Sequence, residues 1–166
     1  MKAFRHALTL CPQYYANSIL MLSLLGMLST AGATGGAVEE GAAPETGLRY
    51  WEWQGNDALF RLTQRLPDQT RAFFLARGFT SEHADFLARK CVFQTLFKNT
   101  AAPGGATLAY NLDDWQIQAA GASRGLLTRE RWSDIWQERG LAQSPRIAFD
   151  WSLLPTQQVY QPQDYN

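Results

Sequence analysis

The sequence predicts an α+β domain: an N-terminal helical segment of about three helices, followed by a small antiparallel sheet with one further helix. Helix-like periodicity and capping residues fill residues 56–98, whereas residues 108–117 and 146–166 are rich in β-formers and broken by Pro155 and Pro162. The turn-rich stretch "NTAAPGGAT" divides the two regions.

Before the domain stands a segment with the layout of a signal peptide. Lys2 and Arg5 supply positive charge, "ILMLSLLGMLST" is almost wholly apolar, and Ala31, Gly32 and Ala33 are small enough for a signal peptidase. The apolar run is about a dozen residues, short of the roughly 20 that a membrane-spanning helix needs. Residues 1–33 are therefore expected to direct export and then be removed, with no stable membrane insertion afterwards. Residues 34–49, mostly Gly, Ala and Glu, bury too little to repay ordering and are expected to form a flexible linker. Residues 50–166 suffice for a single α+β domain.

The first helix is expected over residues 57–66, with Asn56 as its N-cap and Leu59, Leu62 and Leu66 along one side. Pro67 opens a second, "PDQTRAFFLARG", closed by Gly78. Thr80 or Ser81 caps a third over residues 82–98. At about 100° per residue, Ala84, Leu87, Ala88, Cys91, Val92 and Thr95 share one stripe of it, and Phe86, Phe93 and Phe97 another. That pattern predicts a central helix with Cys91 buried as a small hydrophobe.

Alternation at Leu108, Tyr110, Leu112, Trp115 and Ile117 predicts a strand pair or one bulged strand, with Asp113 and Asp114 between its halves. "AAGASRG" reads as a loop. Thr128 caps a fourth helix, "RERWSDIWQERG", with Trp132, Ile135 and Trp136 as its apolar edge and Gly140 as its stop. The remainder, from Arg146 on, reads as edge strands and loops.

Composition and motifs exclude more than they assign. The chain carries 15 basic and 15 acidic residues. Loss of Lys2 and Arg5 leaves it slightly acidic, so bulk charge attracts neither nucleic acid nor an anionic membrane. After export only His83 and Cys91 are nitrogen or sulfur ligands. They lie about two helical turns apart on the expected helix, so no metal or cofactor is expected. A solitary cysteine in an exported protein leaves two readings open: a complete chain with an inert core thiol, or a shortened form of a longer protein whose β-rich continuation held the second cysteine.

The six tryptophans are the least ordinary feature. Trp115, Trp132, Trp136 and Trp151 are expected in the core. Tyr50, Trp51 and Trp53, beside the linker, are expected to touch a partner. The function expected is that of a periplasmic or secreted bacterial accessory or protein-binding domain, non-enzymatic, whose partner is another extracytoplasmic protein. Alternatives are a carbohydrate-binding module using Trp51 and Trp53 or, less favoured, a small hydrolase using the Asp113 and Asp114 carboxylates.

Overall fold

The computed structural model describes residues 36–119 and 122–166; the expected leader of residues 1–33 lies outside the described residues. Strands, not helices, come first. β1 (Ala37–Ala42), β2 (Arg49–Gly55) and β3 (Ala58–Gln64) are followed by α1 (Pro67–Leu75) and α2 (Ser81–Ala88), and β4 (Phe93–Asn99) then completes an antiparallel sheet of order β1-β2-β3-β4. The expected helical N-terminal segment is thus overturned: its first helix is β3, and the second half of its third is β4.

Both reversals have a local cause. Asn56 and Asp57 take positive φ, 49° and 56°, and Gly55 pairs with Ala58, so the two residues form the tight turn of a β2–β3 hairpin and not the start of a helix. Beyond the turn, Phe60 and Leu62 alternate with Leu59, Arg61 and Thr63 across β3. In residues 93–99, Phe93, Thr95 and Phe97 alternate with Gln94, Leu96 and Lys98, a period of two that also satisfies helical stripes when the apolar residues are this dense.

The linker expectation changes as well. Residues 37–42 pair with β2 along their full length, from Ala37 opposite Gln54 to Ala42 opposite Arg49, and Leu48 is buried. Backbone hydrogen bonding to an existing strand orders a segment that has little side chain to bury.

The expected second and fourth helices are present. α1 runs from Pro67 and its chain turns out at Gly78, φ +83°; α3 (Arg129–Glu138) follows Thr128 and turns out at Gly140, φ +66°. Between them lie β5 (Leu108–Asn111), a 3₁₀ turn at Leu112–Asp114, and the hairpin of β6 (Gln116–Ala119) with β7 (Ala122–Gly125). β7 occupies the stretch read as a loop. Residues read as strand and loop near Pro145 instead form α4 (Gln143–Asp150), where proline sits in the first turn and needs no amide proton. β8 (Gln157–Tyr160) pairs antiparallel with β5.

Two aromatic cores result. The helices enclose Phe74, Phe79, Ala84, Leu87, Trp132, Trp136, Leu141 and Phe149; Trp132 stacks on Trp136 with ring centres 5.3 Å apart, and Phe149 meets Trp136 edge-on at 5.1 Å. The second core joins the four-stranded sheet to the β5–β8 pair through Phe97, Tyr110, Leu112 and Tyr160, with Phe60 edge-on to Trp115 at 5.1 Å. Trp151, expected in the core, is 84% exposed.

Cys91 is corrected too. It lies between α2 and β4, is exposed, and is disulfide-bonded, so it is neither a core residue nor a free thiol.

Candidate functional site

Alternation along β2 sends Tyr50 to one face of the sheet and Trp51 and Trp53 to the other. Trp51 is opposite Leu62, lies edge-on to Phe93 at 6.1 Å and carries the Arg49 guanidinium 4.9 Å from its ring centre; it is 5% exposed. Trp53 is opposite Phe60 and Val38 and is half-buried. Tyr50 belongs to a polar network: its hydroxyl donates to Glu39 at 2.8 Å, its ring lies under Arg61 at 4.7 Å, and Arg61 bonds Glu52 at 2.6 Å. The hydrogen bond to Glu39 is the first cause raising the Tyr50 hydroxyl pKa, because ionisation would set two negative oxygens against each other. The three residues do not form one surface, and Trp51 has little area left for a partner.

The residues weighed for catalysis are scattered. Asp113 and Asp114 are exposed on the 3₁₀ turn, where the Asp113 amide donates to Asn111 Oδ1 at 3.0 Å. His83 is buried and tethered at both ring nitrogens. Nε2 is 3.2 Å from the Arg139 carbonyl, which accepts only, so this nitrogen carries the proton, and Nδ1 faces the Thr80 hydroxyl at 3.0 Å. It therefore ties α2 to the end of α3. Among the described residues no cluster of three metal-ligating side chains occurs. None of the described helices is long and apolar enough to cross a membrane.

A buried polar group lies in the second core. Tyr110 Oη and Arg129 Nε are both buried without a hydrogen-bond partner among the described residues, while Arg129 Nη2 donates to the Leu153 carbonyl. Burial, and next the nearby Tyr160 hydroxyl, push the Tyr110 phenol well above its ordinary range; burial also raises Tyr160. Tyr110 and Tyr160 share this core with Phe97 and Leu112.

Two surfaces stand out. Ile147 on α4 and Trp151, the residue that caps its C-terminus, are one helical turn apart, 50% and 84% exposed, while Phe149 between them is locked into the core. Sequence reasoning missed this pair because α4 itself went unread; at helical spacing, Phe149 inward places Ile147 and Trp151 outward. The other surface is the outer edge of β4, partly covered by residues 163–166. There the Asn99 amide donates to the Asp164 carbonyl at 2.9 Å, the Gln163 amide to the Asn99 carbonyl at 3.0 Å, and the Phe97 amide to Asn166 Oδ1 at 2.6 Å. Lys98 opposite Tyr165 sets an antiparallel register.

Comparison with protein-family models, with curated proteins and with solved structures finds no match.

Proposed function

We propose that this chain is a non-enzymatic protein-binding domain that acts outside the cytoplasm, as an accessory to another extracytoplasmic protein. The exposure of Trp151 carries the reading. A tryptophan that stays in water while its helix neighbour Phe149 is buried forgoes a large burial gain, and indole side chains are over-represented where partners bind most strongly. Ile147, one turn away, extends the apolar surface but offers no hydrogen bond to a sugar hydroxyl, which favours a polypeptide over a glycan. The leader-like composition of residues 1–33 supports export.

The test is affinity purification of the wild-type chain and of Trp151→Ala from the native producer at equal expression. The reading requires a protein present at stoichiometric level with the wild type and reduced at least tenfold with the variant. Glycan-array binding lost in Trp151→Ala, with no such protein, would assign the surface to carbohydrate instead.

A further inference from the structure

The four-stranded sheet has two outer edges, and they differ in chemistry. β1 carries Glu39 and Glu40, charges of the kind that discourage strand addition. β4 carries no such guard over residues 93–96, Phe-Gln-Thr-Leu, and contains no proline. In the β3–β4 ladder the Arg65 amide bonds the Val92 carbonyl, so the alternation turns the main-chain groups of Gln94, Leu96 and Lys98 toward β3 and those of Phe93, Thr95, Phe97 and Asn99 outward. Phe97 and Asn99 are taken by residues 163–166. The outward groups of Phe93 and Thr95 have no partner among the described residues.

We propose that the outer edge of β4 at residues 93–96 is a docking slot for an extended strand of a partner polypeptide with alternating apolar and acidic residues. The strand adds antiparallel to β4, in line with residues 163–166, which already demonstrate this pairing on the same edge. On one face its apolar residues meet Phe93, which packs on Trp51. On the other, its acids meet Arg65, whose guanidinium is held beside the slot by Gln94 and makes no ion pair among the described residues. A peptide segment fits better than a second copy of this chain. The slot ends at Phe97, against Asn166, whereas the β4 of a copy runs on through Cys91 into α2 and would collide with that residue. The inference is independent of the α4 surface.

The test is amide hydrogen exchange, followed by NMR on the ¹⁵N-labelled protein, with an eight-residue peptide of alternating Val and Glu as probe. Without peptide, the Phe93 and Thr95 amides exchange freely and those of Phe97 and Asn99 are protected. Peptide protects Phe93 and Thr95 and leaves the β1 edge unchanged. Thr95→Pro, which removes one outward donor, weakens binding at least tenfold. Arg65→Glu, which leaves the backbone intact, reverses the preference toward a Val and Lys peptide. No protection of Phe93 and Thr95 at millimolar peptide, or an unchanged peptide preference in Arg65→Glu, overturns the proposal. Protection that grows with protein concentration alone also overturns it, assigning the edge to a second copy.

Discussion

The Asn99 side chain donates to the Tyr160 carbonyl at 3.1 Å and so joins the four-stranded sheet to the β5–β8 pair. Its other amide hydrogen reaches the Ala106 carbonyl at 3.0 Å, and its Oδ1 accepts from the Ala101 amide at 3.0 Å. The residue is fully buried, so removing the side chain strands the Tyr160 carbonyl and the Ala101 amide away from water and takes the partner from the Ala106 carbonyl of an exposed residue. Asn99→Ala is expected to cost about 2–4 kcal/mol, since each orphaned group costs about 1–3 kcal/mol and some relax. Asn99→Asp is expected to be destabilising too, because it sets a carboxylate oxygen against a carbonyl. Urea unfolding measures both; a loss under about 0.5 kcal/mol, the range of ordinary surface changes, would deny Asn99 this role.

Trp136 is fully buried against Trp132, Phe79, Phe86 and Phe149, yet its indole N–H has no hydrogen-bond partner among the described residues. Trp136→Ala is expected to cost about 3–5 kcal/mol through the cavity it opens. Trp136→Phe loses less volume and also removes the unsatisfied donor, so it is expected to cost less than half as much. Thermal unfolding of the two variants gives the comparison. Equal losses would place a partner on that N–H.

Tyr110 and Tyr160 give stability a definite dependence on alkaline pH. Burial raises both phenols in the folded state, so the neutral forms stabilise it fully below the ordinary tyrosine value of about 10. Above that pH the unfolded chain loses the protons first, and stability falls as pH rises toward the folded-state values. Melting temperature is therefore expected to drop steeply above about pH 10, and the drop is expected to be shallower in Tyr110→Phe. Identical slopes for variant and wild type would show that Tyr110 titrates normally.

In the uncleaved chain Cys91 is exposed and disulfide-bonded, so iodoacetamide is expected to leave it unlabelled before, and to label it rapidly after, mild reduction. Labelling before reduction would contradict the bond. The sequence holds one other cysteine, Cys11, within the expected leader. A chain cleaved after Ala33 keeps the bond only through another molecule, so non-reducing mass spectrometry of the protein purified from its native producer tests leader removal and cysteine pairing together.

What was legible in the sequence was set by local chemistry. Pro67 and Gly78 bracket α1, and Thr128 and Gly140 bracket α3, because a missing amide proton and a left-handed φ are demands that few residues meet. β3 and β4 were hidden by their density of apolar residues: Leu59, Leu62 and Leu66 fit a helical stripe although Leu59 and Leu62 face opposite sides of β3, and Phe93 and Phe97 fit a helical stripe as well as one face of a strand. The Asn56–Asp57 turn was readable in principle, but the same two residues also begin helices. Trp151 was misplaced because composition argues for burial of tryptophan on average, while its position past the end of α4 turns this one outward. The β4 edge depends on pairing between residues some 70 positions apart, Phe97 with Asn166, which no local pattern carries.

The most direct measurement is photo-cross-linking in the native producer, with a benzophenone side chain at position 151 and, as a control, at the exposed position 138 of α3. One discrete protein adduct is expected in the extracytoplasmic fraction from position 151 and none from position 138. No adduct at position 151, or the same adducts from both positions, would contradict a protein-binding role for this surface.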